Sequence, residues 1–175
     1  MSLLLPTQSG HLKWLRLIRL HRLILRLPLK LLAFSAAALV SLAGYEGYRE
    51  AAYTPVAGDV ATIGFGTTEG VKLGDKIDPV TALNRKIRDI QKFEGALKSC
   101  VTVPLAQHEY DSFLSLAYNI GPQAFCSSTL VRKLNQGDYA NACKEILRWD
   151  RFQGKPLAGL TRRRESEYRQ CIGSP

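Results

Sequence analysis

Residues 31–44, LLAFSAAALVSLAG, form an uncharged run that stops two residues short of the first acidic side chain, Glu46. The run divides the molecule, because Lys13, Arg16, Arg19, Arg22, Arg26 and Lys30 all precede it and residues 1–45 carry +6 of the net +9. The other 130 residues carry +3. Any acid-dependent chemistry must therefore begin where the run ends. The basic stretch HLKWLRLIRLHRLILRL places its cations at 13, 16, 19, 22 and 26. That spacing of three and four predicts a basic amphipathic helix, ended or kinked by Pro28.

As a helix the uncharged run reaches about 21 Å, short of the roughly 30 Å hydrocarbon core of a bilayer. Basic residues on its N-terminal side predict a cytoplasmic start and export of residues 45–175. Three readings stay open. A cleavable signal peptide would use Ser41 and Ala43 as the small residues before the cut, leaving Glu46 third from a frayed end. A signal-anchor of small, weakly apolar residues would insert, arrest and later withdraw, since such residues resist withdrawal less than a leucine-rich span. A misplaced start would account for the first 25 or so residues. A fixed Glu46 favours retention of the run. The expected organisation is a basic cytoplasmic segment (1–30), a signal-anchor (31–44) and a globular domain (45–175).

With 46% hydrophobic and 22% charged residues, the chain has enough apolar material for one such domain. Cys100, Cys126, Cys143 and Cys171 all lie in it. No pair has CxxC spacing and no histidines cluster beside them, so two disulfides in an oxidising compartment are expected in preference to zinc or to four free thiols. Four cysteines allow three pairings. Cys100–Cys126 with Cys143–Cys171 is the expected one.

Along the domain, EGYREAAY reads as a short helix. Pro55, Gly58, Gly64, Gly66 and Gly70, interleaved with Val60, Ile63 and Phe65, predict a glycine-rich hairpin or meander. Asp78-Pro79 supplies an N-cap and a first-turn proline for a helix over 79–99. Further helices are expected at 105–119, 128–136, 138–150 and 161–171. The fold class is α+β: a small β lobe and a larger helical lobe joined by the 79–99 helix. Phe113, Leu116 and Trp149 fall at core positions, and His108, without metal-spaced companions, is assigned to structure.

Glycoside hydrolysis needs one carboxylic acid to protonate a leaving oxygen and a second acidic or polar group to manage the cation and its water. Glu46 and Asp59 supply the pair, and Thr62 is placed to hold the water. Glu46 at the end of an apolar helix is expected to meet a desolvating wall. On residue chemistry alone the plainer reading is a helix-start glutamate and a turn aspartate. Glu46-Gly47, Ala52-Tyr53, Gly58 and Thr62-Ile63-Gly64-Phe65-Gly66-Thr67-Thr68 resemble the active-site region of phage-type lysozymes, the endolysins of glycoside hydrolase family 24. The likeness continues through Ala117-Tyr118-Asn119-Ile120-Gly121, Ser128-Thr129-Leu130, Leu134 to Tyr139, and Gly159-Leu160-Thr161-Arg162-Arg163-Arg164, covering roughly residues 46–171. The N-terminal segment looks like the signal-arrest-release anchors of a subset of that family.

The resemblance implies a lysozyme-like fold and a muramidase that cuts peptidoglycan between N-acetylmuramic acid and N-acetylglucosamine from the periplasmic side, without metal or cofactor. Glu46 matches the family acid and Thr62 its threonine. Asp59 departs from the pattern: relatives carry an aspartate two residues after the tyrosine matched by Tyr53, where this chain has Pro55, and the loop is one residue longer. Asp59 is expected to take that role by a different path, with Glu50 as the fallback. Thr67 stands where relatives have histidine. Tyr118 and Asn119 are expected to line the cleft, and one of Arg162 to Arg164 to pair with Glu46 across the lobe interface, the alternative being a solvated basic face served by Glu165 and Glu167. The expected partners are peptidoglycan and, through residues 31–44, the inner membrane, with a monomer after release. A lytic transglycosylase and a cationic membrane-active protein are the competing readings. Nucleic-acid binding fits least, because the cations sit beside an apolar run and not on the folded domain.

Overall fold

The computed structural model describes residues 24–55 and 58–174. Most of the expected amphipathic helix at 11–27 lies outside them. Its last residues are extended: Leu27 pairs with Leu105 as an isolated bridge, with backbone bonds of 2.7 and 3.0 Å. After a single 3-10 turn at Leu29–Leu31, helix α1 (Ala36–Glu46) begins at Ser35, whose hydroxyl accepts the Ala38 N–H at 3.1 Å. It buries Ala38 and Leu42 against the rest of the protein. Among the described residues no helix is long and apolar enough to cross a membrane.

Glu46 is the last residue of α1, not the first of a new helix. Gly47 turns the chain with φ +69° while its N–H still bonds Ala43 at 3.0 Å, a conformation that a side chain would resist. The helix expected over EGYREAAY does not form. Instead, Arg49–Tyr53 is strand β1, antiparallel to β2 (Thr62–Gly64), with Arg49 opposite Gly64 and Tyr53 opposite Thr62. Its other edge bonds the chain near residue 76, Ala52 N–H to Asp75 and Ile77 N–H to Glu50. Two-sided pairing outweighs the modest helix preference of Arg, Glu and Ala in so short a segment.

Helix α2 (Pro79–Cys100) starts as expected, with Asp78 accepting the N–H groups of Val80 and Thr81. Along one stripe it places Ala82 in the small β-lobe core with Ile63 and Ile77, and Ile90 and Leu97 in the main core. One helix thus fastens two separate cores. The main core is completed by α3 (Gln107–Ile120), α4 (Pro122–Cys126), α5 (Thr129–Asn135), α6 (Tyr139–Glu145) and α7 (Ala158–Cys171). Tyr110, Phe113, Leu116, Phe125 and Leu130 are fully enclosed there, and Trp149 packs on its edge.

The helix expected at 138–150 stops at Glu145 and tightens into a 3-10 turn, Ile146–Arg148, which leads into a hairpin of β3 (Arg151–Phe152) and β4 (Lys155–Pro156). Helix α7 starts at Ala158, ahead of the expected 161. Helix α4 and the β3–β4 hairpin carry too few periodic positions to be read from the sequence.

Both disulfides take the expected pairing, Cys100–Cys126 and Cys143–Cys171, with Cα atoms 5.6 and 5.7 Å apart. The second ties α6 to the end of α7 across 28 residues of chain. His108 supports the same end, its Nδ1 donating to the Cys171 carbonyl at 3.1 Å. Replacing Cys143 and Cys171 by alanine is expected to lower the unfolding free energy by about 3–4 kcal/mol, from loop-closure entropy returned to the unfolded chain, as read by urea titration.

Candidate active site

Glu46 leaves the end of α1 at the junction of the two lobes with 24% of its side chain exposed. Its Oε1 lies 3.3 Å from Arg163 Nη1 on α7. The turn after β2 closes on the other oxygen, since a Cβ at Gly66 would stand 3.3 Å from Glu46 Oε2, and φ there is +85°. A glycine is required at 66 on both counts.

Arg163 is itself held from three directions. Its Nε donates to Glu167 at 3.2 Å, its Nη2 to the Ser115 carbonyl at 3.4 Å, and its guanidinium lies 4.7 Å from the Tyr45 ring centroid. Arg164 shares Glu167 from behind, and Ser115 Oγ donates to the same carboxylate at 2.7 Å. Arg163, Arg164 and Glu167 are buried, so the alternative of a solvated basic face applies only to Arg162. Glu165 is exposed and joins no bond of this network. The carboxyl of Glu46 meets cations where an apolar wall had been expected.

Asp59 and Thr62 sit on one short stretch before and within β2. Thr62 is buried and its Oγ1 donates to the Val60 carbonyl at 3.2 Å. Asp59 is exposed, and its carboxylate accepts the Val60 N–H at 2.8 Å. Glu50, on β1, is exposed and borders a different hollow with Tyr48, Lys76 and Asp78.

Gly66, which abuts Glu46, borders a hollow of about 340 Å³ lined also by Thr68, Asp89, Phe93 and Tyr118. Tyr118 lines it, its ring tilted against Phe93 at 4.7 Å, and burial pushes its hydroxyl well above the usual tyrosine range. Asn119 is exposed and does not border this hollow. Thr67 donates its hydroxyl to Asp89 at 2.7 Å and so fastens the turn to α2.

Lys86 is fully buried, and the sequence reading did not single it out. Its Nζ donates to the Phe65 carbonyl at 2.9 Å and lies 3.8 Å from the centroid of the Tyr118 ring. Burial pushes the ammonium down to about 8, with Glu46 and Asp89 opposing that and Arg163 reinforcing it. A signal was present: positions 82, 86, 90 and 97 form one helical stripe, and Lys86 alone breaks its apolar character. No group of His, Cys, Asp and Glu placed to hold a metal occurs among the described residues.

Gly66→Ala is expected to reduce turnover about tenfold, because the strained turn and the added methyl shift the Glu46 carboxyl by a fraction of an ångström. Near-unchanged KM in the same assay would place the effect on the acid instead of on substrate binding.

A family model described as “Phage lysozyme” matches residues 43–167. The chain is 41% identical over 137 residues to “Endolysin” of Acyrthosiphon pisum secondary endosymbiont phage 1, covering 76% of this chain and 93% of that one. It is 37% identical over 141 residues to “SAR-endolysin” of Pseudomonas phage phiKMV, covering 78% and 87%. Among solved structures, “Muramidase domain of SpmX from Asticaccaulis excentricus” superposes with a TM-score of 0.76 at 28% identity, covering 82% of this chain and 99% of that domain. The matched span runs from the end of α1 to α7 and takes in Glu46, Thr62 and Arg163, so the chain belongs to the phage lysozyme family.

Proposed function

We propose that the chain is an endolysin, a glycoside hydrolase that cuts the β-1,4 bond between N-acetylmuramic acid and N-acetylglucosamine in peptidoglycan and so lyses the host cell. The observation that carries this reading is Glu46, held at the lobe junction by Arg163 and bordered by the Gly66 turn, within a chain of the phage lysozyme family. Glu46 delivers its proton to the bridging oxygen, and the C1–O bond breaks with its electron pair going to that oxygen. Asp59 and Thr62 hold a water on the opposite face of the sugar. Asp59 suits this role because its carboxylate is exposed and bonded only to a neighbouring backbone N–H, leaving lone pairs for water. An attack of this kind inverts the anomeric centre and needs carboxyls about 6.5–9.5 Å apart. Tyr118 forms a wall of the cleft.

The names of relatives support an anchored start, since “SAR-endolysin” describes the matches from phage phiKMV and Enterobacteria phage P21. In this reading residues 31–44 hold the chain in the inner membrane with the catalytic domain facing the periplasm, and the released monomer has the conformation described above. What supports release is the docking of residues 26–35 on the helical lobe. Arg26 forms a two-pronged pair with Glu109, the Phe34 and Ser35 N–H groups donate to Glu94 and Asp111, and Lys98 and Gln107 bond the carbonyls of Leu32 and Ala33. A segment inside a bilayer cannot make these bonds.

Purified protein and its Glu46→Gln, Asp59→Asn and Glu50→Gln variants, assayed for reducing ends released from cell walls, test the assignment. Glu46→Gln is expected to lose nearly all activity and Asp59→Asn to lose two or more orders of magnitude, with Glu50→Gln close to the parent. Anhydro sugar products would convert the reading to a lytic transglycosylase. Cell killing that survives Glu46→Gln without new reducing ends would convert it to a cationic membrane-active protein.

A further inference from the structure

A fully buried lysine is expensive unless its charge is used, because desolvating an ammonium costs several kcal/mol. Among the described residues, Lys86 lacks the close carboxylate partner that a merely structural buried lysine has. Its hydrogen bond goes to the Phe65 carbonyl, and its other face is covered by the Tyr118 ring. The Phe65 carbonyl belongs to the turn whose next residue, Gly66, abuts Glu46. The charged groups that act on the ammonium are Glu46 on α1, Arg163 on α7 and Asp89 on α2 itself, and α3 covers it with the Tyr118 ring.

We propose that Lys86 is a positioning residue for Glu46: its ammonium, fixed between the Phe65 carbonyl and the face of Tyr118, holds the Gly66 turn against the acid and, with Arg163, stabilises the carboxylate left when the proton is delivered. This inference rests on Glu46 being the proton donor. When the proton passes to the bridging oxygen, a full negative charge develops on Glu46 in a partly buried site. Arg163 divides its guanidinium between Glu46 and Glu167, and Arg164 pairs with Glu167 as well, so that cluster keeps a net positive charge for Glu46. Lys86 adds a second cation whose charge interacts with Glu46. A fixed cation counts for more in a water-poor cleft than it would in solvent.

The charge has a pH signature. With the folded-state value near 8 and the unfolded one at 10.5, the folded chain binds this proton less tightly, so stability from this group rises as the pH is raised between those values and is lost as it falls back.

Lys86→Met removes the charge and keeps the apolar stem. Lys86→Gln keeps a donor for the Phe65 carbonyl, separating the turn from the charge, and serves if the first variant does not fold. Two readouts are taken on wild type and both variants: the side-chain carboxyl titration of Glu46 by ¹³C NMR without substrate, and kcat against pH with cell-wall substrate. Loss of a nearby opposite charge is expected to move the Glu46 midpoint, and the alkaline limb of kcat with it, upward by about one pH unit. At the optimum kcat is expected to fall about tenfold with KM little changed, and Lys86→Gln should recover part of that loss.

Superimposable Glu46 titrations and pH profiles across the three proteins, with any loss of rate tracking melting temperature, would overturn the role given to Lys86. A Glu46→Gln protein that still released reducing ends would instead remove the proton donor itself. The substrate-free titration tells these two failures apart.

Discussion

The guanidinium of Arg163 is the point on which the site is built. It reaches Glu46 at the end of α1, Glu167 on its own helix and the Ser115 carbonyl on α3, and these bonds lock three helices into one geometry. Breaking a buried ion pair by removing one partner typically costs about 3–5 kcal/mol, because the other charge is left stranded. Arg164 and Ser115 bind the same Glu167, so the support is shared and does not rest on a single contact. The β lobe joins through the Gly66 turn, the Thr67–Asp89 bond and Lys86. A glutamate at the last turn of a helix would otherwise fray. Here it is enclosed by both lobes.

Much of this was legible in the sequence where local rules and burial point the same way. Asp78-Pro79 set the start of α2, the apolar stripe beyond it set the length, and four cysteines without CxxC spacing implied two disulfides. The residue chemistry of Glu46, Asp59 and Thr62 alone did not separate a site from a helix end and a turn. The family resemblance is what singled those residues out, and it also led to an arginine among Arg162 to Arg164, of which Arg163 bonds Glu46. What stayed hidden has a tertiary cause. Arg49–Tyr53 is a strand because residues 62–64 and 75–77 lie on either side of it, and no local pattern encodes that pairing. Lys86 left a visible break in an apolar stripe. Reading that break required knowing that residue 65 folds back over it.

The segment before α1 gives the chain an ambiguity that is physical. Residues 31–44 are apolar enough to enter a bilayer weakly, yet Leu32, Ala38 and Leu42 are buried in the folded protein and the backbone at 34 and 35 is bonded to Glu94 and Asp111. Arg26, counted in the sequence among flanking cations, is committed to Glu109 and lies 3.6 Å from the Tyr139 ring centroid. Because α1 ends in Glu46, its placement and that of the acid are a single event. Under the proposed anchored start, insertion in the membrane and assembly of the site would compete for the same residues.

The stereochemistry of the cut reaches the centre of this account, because it reports whether one proton donor and one positioned water act on opposite faces of the sugar. Proton NMR of the anomeric signal in newly released reducing ends, recorded before mutarotation, is the measurement. The α-anomer appearing first is the predicted result for a β-linked substrate cut with inversion by Glu46 and a water held at Asp59 and Thr62. The β-anomer appearing first would contradict it, requiring a nucleophile on the enzyme and a closer pair of carboxylates.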